Sequence, residues 1–305
     1  METYDLIIIG GAAAGLPAAL YAARRKINTL VITEDTQGQT GTATTIENYP
    51  GFLEISGIEL MAKFKEQAKK SGANIVFDNV KKLKKSGDDF EIETTYSKYS
   101  AKSVIISAGK SPRTLGVPGE ENLKGRGVSY CATCDGPFFK GKKIAVVGGG
   151  NTALEEAEYL SKIAEKVYLI HRRSDFRAEE AVVHHIQKIK NIEFVLDSIP
   201  KEINGENKVE AIVVENTILE DKKTIPLDGV FVSIGYIPKT DWIKDFVKLD
   251  DYGQIIVTKK CETSKKGVFA AGDITNIRDK QTIIAAAQGV TAALSAYDYL
   301  VGKKR

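Results

Sequence analysis

The 305-residue sequence predicts an α/β fold in which one βαβ plan is used twice. Near the N-terminus, an apolar strand at 6–9 runs into the glycine-rich turn 10–15, a helix and a second apolar strand. The same order returns where the strand 144–147 runs into the glycine-rich turn 148–153. These strands are short and apolar throughout, as buried parallel strands are. The repeat predicts two Rossmann-like dinucleotide-binding domains, each three-layered with a parallel central sheet and a β-meander.

The first copy continues into elements that complete a domain. A helix at 16–25 and a strand at 29–32 finish the βαβ unit. An alternating strand at 90–94 follows the turn 87–89, and an apolar strand at 104–109 ends in glycine. Alternation after a turn is typical of a hairpin in a β-meander.

The second copy repeats this order. A helix at 154–162 and a strand at 167–170 follow the turn, then a strand at 209–214 follows the hairpin signal Asn204-Gly205. An apolar strand at 230–235 again ends in glycine. The second domain is therefore predicted to be inserted into the first.

After the second copy, the chain returns to the first domain. Strands are predicted at 255–257 and 268–273, and an alanine-rich helix at 282–300. The predicted domain limits are 1–113, 114–240 and 241–305. Hinges are expected in the loops that contain proline and glycine, 111–127 and 235–240.

Composition excludes several classes of protein. Hydrophobic residues make up 43% of the chain and charged residues 27%, which is typical of soluble globular proteins. A net charge of +3, scattered along the chain, argues against nucleic-acid binding. No apolar run approaches the ~20 residues of a membrane helix, and residues 1–5 are polar and do not resemble a signal peptide. Three cysteines are too few for a disulfide framework, so we expect a cytoplasmic protein.

The first glycine-rich turn predicts a dinucleotide with free ribose hydroxyls. Such a turn presents backbone N–H groups and a helix N-terminus to a pyrophosphate. Gly10 and Gly15 occupy their expected positions, whereas Ala12 replaces the middle glycine. Glu34 closes the second strand, where an acid accepts hydrogen bonds from ribose. The expected ligand is FAD, and tight packing without a ligand is the alternative interpretation.

The second turn predicts NADPH rather than NADH. Gly148 and Gly150 fit the pattern, with Ala153 in the last position, where alanine is permitted. Arg172 stands where Glu34 stands in the first copy, within a basic cluster of His171, Arg172, Arg173 and Arg177. Fixed positive charge here suits a 2′-phosphate, and a solvated basic face is the alternative.

The pair Cys131-Ala132-Thr133-Cys134 has the spacing of an exchangeable disulfide. Asp135 adjoins the pair and is placed to transfer protons to and from a thiolate. A zinc site would need Cys261 and a histidine as well, without a second CxxC, so no metal is expected. Inert buried cysteines are a further alternative, and Cys261 itself is expected to be a buried apolar residue. The two glycine-rich turns and the cysteine pair together predict an electron path from nicotinamide to flavin, then to this disulfide and to the disulfide of a partner.

Together these motifs resemble those of the low-molecular-weight thioredoxin reductases over essentially the whole chain. The redox segment 127–136 and the NADPH segments 147–153 and 171–177 carry the resemblance on one side. The segments 47–51 and 270–273 carry it on the flavin side.

The resemblance implies roles for individual residues. Cys134 would face the flavin, with Asp135 as the acid–base group, and Asn48 and Gln281 would lie at the flavin ring. The implied FAD residues are Gly10, Ala12, Ala14, Gly15, Glu34, Gln39, Asn48, Val80, Gly109, Gly272, Asp273 and Gln281. The implied NADPH residues are Gly148, Gly150, Asn151, Thr152, His171, Arg172, Arg173 and Arg177. The resemblance also implies a homodimer, rotation between two domain orientations and oxidised thioredoxin as the acceptor.

The flavin side departs from the family pattern. Ala12 replaces a glycine, the loop 37–41 differs from the usual sequence, and Lys280 replaces the commoner arginine. These departures leave open another electron donor, such as ferredoxin or a reduced flavin, and a peroxidase-linked thioredoxin-like acceptor. A nucleotide-binding redox sensor without turnover is the alternative from another functional class.

Overall fold

The structure, a computed structural model, describes residues 1–43 and 45–302. The last residues of the predicted segment 241–305 thus lie outside the described part. The strands are β1 Glu2–Ile9, β2 Thr29–Thr33, β3 Asn74–Phe77, β4 Val80–Ser86, β5 Asp89–Thr94, β6 Lys98–Ile106, β7 Lys110–Pro112, β8 Val128–Ser129, β9 Lys143–Val147, β10 Lys166–Ile170, β11 Ile192–Val195, β12 Ser198–Asn204, β13 Ala211–Asn216, β14 Lys222–Pro226, β15 Gly229–Val232, β16 Tyr236–Pro238 and β17 Val268–Ala270. The helices are α1 Gly15–Arg24, α2 Gly57–Lys70, α3 Ala132–Asp135, α4 Asn151–Ser161, α5 Glu180–Ile186 and α6 Thr282–Gly302.

The chain divides into two compact units, 1–111 with 237–305 and 112–236. The second unit therefore interrupts the first in sequence. The two segments that join the units, β7 and β16, pair with each other in a two-stranded sheet.

The first unit is built around a sheet in the order β3-β2-β1-β6-β5-β4, with β17 also paired to β6. The strands β3, β2, β1, β6 and β17 run parallel, and β4 and β5 form an antiparallel hairpin beside them. Because side chains alternate across a strand, β1 contributes to two cores. Leu6 and Ile8 pack with α1 and α6 on one face, and Ile7 and Ile9 pack with β4 and β5 on the other.

The second unit has the same plan. Its parallel sheet has the order β11-β10-β9-β15-β8, and β12, β13 and β14 form an antiparallel meander. Ile144 and Val146 face the helices α4 and α5, whereas Ala145 and Val147 face the meander. The predicted fold class, two Rossmann-like domains with the second inserted into the first, is confirmed.

Two local predictions differ from the structure. The segment 255–257 forms no strand, because Ile255 bonds to Ile274 on one side and Ile256 bonds to Lys248 on the other, which leaves only isolated bridges. The Asn204-Gly205 signal does mark the end of β12, but β13 begins only at Ala211. The connection is therefore longer than the two-residue turn that this dipeptide favours.

Among the helices of the described ranges, none combines the length and hydropathy of a membrane span.

Candidate redox and dinucleotide sites

The redox pair of the second unit is joined in a disulfide between Cys131 and Cys134, with the Cα atoms 5.4 Å apart. Cys131 occupies the N-cap of α3, and its Sγ accepts a hydrogen bond from the Cys134 N–H at 3.2 Å. Cys134 is exposed, while Cys131 is half-buried. An exposed sulfur beside a shielded one is an arrangement that another thiolate can attack from solvent.

Ser129 connects Asp135 to the redox pair, a contact that nothing in the local sequence indicated. The Ser129 hydroxyl donates to Asp135 Oδ2 at 2.6 Å and accepts from the Cys131 N–H at 3.1 Å. Ser129 lies on β8 and is buried. The hydroxyl therefore holds the Asp135 carboxylate in a fixed position next to the cysteine loop.

The first glycine-rich turn brings the ends of β1 and β6 against the start of α1. Gly10 has φ +99°, and a Cβ built on it would lie 2.4 Å from the Ser107 carbonyl oxygen. A Cβ on Gly15 would lie 1.8 Å from the Gly10 carbonyl oxygen. No other residue fits either position. The helix α1 has no side-chain cap and no acid in its first turn, so its N-terminus is suited to an anion.

Two of the three departures from the family pattern, Ala12 and the loop 37–41, contact each other. A Cβ on Gly38 would lie 2.7 Å from the Cβ of Ala12. The methyl group of Ala12 therefore lies against a residue that has no side chain, in the loop whose sequence also differs from the family pattern. A side chain at position 38 would clash with this methyl group.

Glu34, which the sequence predicts at the ribose, is the centre of a small polar cluster in the first unit. Its carboxylate accepts a hydrogen bond from Asn79, the neighbour of Val80, and forms an ion pair with Lys239 at 3.1 Å. Two residues predicted on this side, Glu34 and Val80, are therefore close together. Lys239 was not predicted, because nothing in its local sequence indicates a partner 205 positions away.

Asn48 and Gln281, the residues that the resemblance implies at the flavin ring, are brought together from distant parts of the chain. The Asn48 amide donates to Gln281 Oε1 at 3.2 Å, and the hydroxyls of Thr40 and Thr282 lie 3.0 Å apart. Gln39 immediately precedes the short helix Thr40–Thr42. The start of α6 therefore lies close to the loop 37–41 and to Asn48.

Gly272, an implied FAD residue at the end of β17, contacts both α6 and the first glycine-rich turn. The Gly272 N–H donates to Gln288 Oε1 at 2.9 Å, and a Cβ on Gly272 would lie 3.0 Å from that of Ala14. Burial raises the pKa of Asp273, against the opposing effect of Lys110 and Lys280. Gly109, with φ +67°, follows β6. All the implied FAD residues lie in the first unit.

The second glycine-rich turn is packed against His171. A Cβ on Gly148 would lie 2.2 Å from the Ser233 carbonyl oxygen, and one on Gly149 would lie 2.1 Å from the His171 ring. His171 stacks on Phe176 with ring centroids 5.3 Å apart and is 8% exposed. Burial lowers the pKa of His171, so the neutral ring packs against the turn and adds nothing to the positive charge of the three arginines. Its Nε2 has no partner among the described residues.

The three arginines behave differently from His171. Arg172, Arg173 and Arg177 are exposed, and none forms an ion pair within the described part of the chain. The Arg177 N–H donates to the Gly149 carbonyl at 2.7 Å, which fixes this loop beside the turn. The implied NADPH residues Asn151 and Thr152 begin α4, which has no side-chain cap. Unpaired guanidinium groups therefore lie in the loop attached to a helix N-terminus, as a phosphate requires.

Glu156, on α4, is a half-buried acid that its sequence context did not reveal. Burial raises its pKa from 4.5 to about 7, opposed by a hydrogen bond to Ser233 and reinforced by Glu155. The folded protein therefore retains a proton that the unfolded chain releases between these two pH values.

We expect this acid to make the stability of the second unit pH-dependent. Because the folded-state pKa is the higher one, the stabilising proton is bound at low pH and is lost as the pH rises through about 7. Relative to Glu156→Gln, the wild type should lose on the order of 2 kcal/mol between about pH 5 and pH 8. Thermal unfolding across this range measures the difference. Glu155→Gln, the same change at the exposed neighbour, should leave the pH dependence in place, and parallel curves for wild type and Glu156→Gln would contradict the assignment.

No group of three or more histidine, cysteine, aspartate or glutamate side chains within 1–43 and 45–302 is arranged to hold a metal ion. The two cysteines of the CxxC segment are bonded to each other, and Cys261 is free and buried. The expectation that Cys261 is a buried residue is confirmed.

Comparison with known proteins gives consistent matches. Residues 4–290 match the family Pyridine nucleotide-disulphide oxidoreductase. The chain is 42% identical over 310 residues to the thioredoxin reductase of Peptoclostridium acidaminophilum, with 98% of each chain covered. Its fold is similar to that of Lactococcus lactis thioredoxin reductase in the FR conformation, with a TM-score of 0.87, 36% identity and coverage of 98% and 99%. A ferredoxin-flavin thioredoxin reductase from Clostridium acetobutylicum matches with a TM-score of 0.56, 34% identity and 99% coverage of both chains.

These similarities extend over nearly the full length of the chain and include both glycine-rich turns and the disulfide segment. The predicted enzyme class, flavoprotein oxidoreductase, is confirmed, as are FAD and NADPH, the cofactors of the family. The chain belongs to the low-molecular-weight thioredoxin reductases, within the pyridine nucleotide-disulphide oxidoreductase family.

Proposed function

We propose that this chain is a thioredoxin-disulfide reductase that passes electrons from NADPH to FAD, to the Cys131–Cys134 disulfide and on to oxidised thioredoxin. The observation that carries the proposal is the exposed disulfide with an adjacent carboxylate held in position by Ser129. In the same proposal, the predicted segments 1–113 and 241–305 bind FAD, and 114–240 binds NADPH and carries the redox pair.

The residues present fit both cofactors. In the second unit, a Cβ built on Gly150 would meet nothing within 4 Å, which leaves open space at the turn beside the three unpaired arginines. In the first unit, the N-terminus of α1 has no side-chain cap, Glu34 is bonded to Asn79, and Asn48 is bonded to Gln281. FAD, when bound, supplies the conversion of a hydride into the electron pair that disulfide chemistry requires.

Cys131 and Cys134 then carry out the thiol–disulfide exchange, and Asp135 carries out the proton transfers. Two electrons break the Cys131–Cys134 bond and leave two thiols once two protons have been taken up. Asp135 is placed to give and take a proton at the cysteine loop, with Ser129 holding its carboxylate. One thiolate attacks the disulfide of the partner, and the second resolves the mixed disulfide, so that the pair is oxidised again.

Removal of the Ser129 hydroxyl should slow this cycle. Ser129→Ala takes away the hydrogen bond to the Asp135 carboxylate and the acceptor of the Cys131 N–H. A hydrogen bond to a charged group contributes about 1.5–3 kcal/mol, so we expect turnover of thioredoxin to fall about tenfold. Ser161→Ala is the matched control, because Ser161 in the same unit donates only to a backbone carbonyl. Equal turnover by Ser129→Ala and wild type would contradict the role of Ser129.

The acceptor and the assembly are part of the same proposal. We infer that the acceptor is thioredoxin or a thioredoxin-like protein disulfide, in the cytoplasm, and that the enzyme is a homodimer that forms through its FAD domains. Support comes from the resemblance to the thioredoxin reductases and from the exposure of Cys134.

A second candidate function differs in the electron donor. The contact between Ala12 and Gly38 lies on the flavin side, where the chain departs from the family pattern, and one structural relative is a ferredoxin-flavin enzyme. In this second candidate, ferredoxin or a reduced flavin replaces NADPH while the disulfide chemistry is unchanged. A peroxidase-linked thioredoxin-like protein would change only the acceptor, and a redox sensor would bind the nucleotide without turnover.

Anaerobic titration of the purified protein with NADPH, and separately with NADH, tests the proposal. The flavin absorbance should bleach at a much lower concentration of NADPH than of NADH, and oxidised thioredoxin should then restore it. A yellow protein that neither nucleotide bleaches would favour the ferredoxin or reduced-flavin donor. A colourless protein, or one that binds NADPH without reacting, would favour the sensor.

A further inference from the structure

One buried carboxylate fastens the loop that follows β7. Glu120 is 3% exposed, and its two oxygens accept the backbone N–H groups of Leu115 at 2.8 Å and Gly116 at 2.7 Å. It forms no ion pair within the part of the chain that the structure describes. A buried carboxylate without a cation depends on its hydrogen bonds for stability. The two backbone N–H groups that it accepts therefore fix the loop at 115–116 beside Glu120.

The same carboxylate also holds the redox loop. The Tyr130 hydroxyl donates to Glu120 Oε1 at 2.7 Å, and Tyr130 immediately precedes Cys131. Burial and the neighbouring Glu120 both raise the pKa of Tyr130, so the phenol remains a donor at any physiological pH. Glu120 therefore joins two segments: the loop 115–116 and the residue before the redox pair.

Further contacts fix the loop to the meander. The Ile203 N–H donates to the Pro118 carbonyl at 2.9 Å, and a Cβ on Gly119 would lie 1.9 Å from the Ile203 carbonyl oxygen. The stretch 115–120 is therefore attached to β12 as well as to Tyr130. The predicted hinge loop 111–127 is thus secured over much of its length, and only residues 113 and 114 lie between β7 and the fastened part.

We propose that Glu120 is a positioning residue that couples the linking loop to the loop that carries Cys131. The proposal rests on the proposed function, in which the redox pair must be presented first to the flavin and then to the partner. With Glu120 in place, the link and the cysteine loop move as one body, and displacement of β7 is transmitted to Cys131 through Leu115, Glu120 and Tyr130.

Kinetics of two variants and a control test this coupling. Tyr130→Phe removes only the bond to the redox loop, and Glu120→Gln weakens all three bonds. We expect the kcat for thioredoxin to fall about tenfold in each, with the KM values for thioredoxin and NADPH unchanged and the rate of flavin reduction by NADPH unchanged. Glu121→Gln is the matched control, because Glu121 is the exposed neighbour and the change is the same. A lower Tm with an unaltered kcat in Tyr130→Phe would show that the contact serves stability alone and would overturn the proposal.

Hydrogen exchange tests the coupling without reference to the reaction. In Tyr130→Phe the carboxylate of Glu120 is intact, yet we expect the backbone N–H groups of Leu115 and Gly116 to exchange at least about tenfold faster, because the carboxylate has lost its third bond. Unchanged exchange would mean that the two segments are not coupled. If the wild type fails to turn over thioredoxin with any donor, the proposed function fails, and this measurement still decides whether Glu120 couples the segments.

Discussion

Replacement of Cys134 by serine is expected to abolish disulfide turnover while flavin reduction by NADPH continues. The serine cannot form the bond to Cys131, so electrons that reach the flavin have no disulfide to break. Stopped-flow absorbance of the flavin after mixing with NADPH measures the first half of the reaction. Reduction of oxidised thioredoxin measures the second half, which should fall to background.

Cys261→Ser is the matched control for this change. Burial raises the pKa of Cys261 to about 11, so its thiol stays protonated and unreactive at neutral pH. It is 2% exposed and is held against the Gln288 carbonyl. Turnover should therefore persist in Cys261→Ser. Persistence of turnover in Cys134→Ser instead would mean that the pair is not the relay.

The sequence predicted the architecture well because apolar periodicity determines which segments are buried. The strands at 6–9 and 144–147 are continuous apolar runs, and the structure places both in the centre of parallel sheets. The segment 255–257 has a similar composition but forms no strand. Its neighbours in space are loops near Lys248 and Ile274, and pairing of this kind is decided by tertiary contacts that composition does not record.

Some properties of the site residues could be predicted from the sequence, and others could not. Glu34 and Arg172 occupy equivalent positions in the two copies of one plan, so the repeat itself indicated their different ligands. His171 shows the limit of this reasoning: it belongs to the basic cluster in sequence, but its ring is buried against Gly149 and its pKa is lowered. Charge read from sequence takes no account of burial.

Residues that act through others could not be predicted from the sequence. Ser129, Glu120 and Lys239 are ordinary polar residues in their local context, and each acquires its role from partners brought near by the fold. The pair Asn48 and Gln281 was implied only by the resemblance, since 233 positions separate the two residues. Contacts of this range follow from the sheet order and not from any local pattern.

Replacement of both Arg172 and Arg173 by alanine is expected to weaken NADPH far more than NADH. The two nucleotides differ only in the 2′-phosphate, so the comparison isolates the charge that these side chains would contact. Both guanidinium groups are exposed and without an ion pair among the described residues, and each is therefore available to a phosphate. Two charge-assisted contacts of about 1.5–3 kcal/mol each predict a loss in NADPH affinity of about 100-fold or more.

Steady-state KM values and equilibrium titration of both nucleotides measure this preference. The constants for NADH should change by less than about threefold, because its adenosine ribose carries no phosphate for the arginines to bind. Arg126→Ala removes an exposed arginine of the same unit outside the cluster and should leave both nucleotides unaffected. Because the contacts are electrostatic and at the surface, added salt should weaken NADPH binding in the wild type more than in the double variant. Equal losses for NADPH and NADH would instead identify the cluster as a solvated basic face, and the second glycine-rich turn would then lack a basis for choosing NADPH.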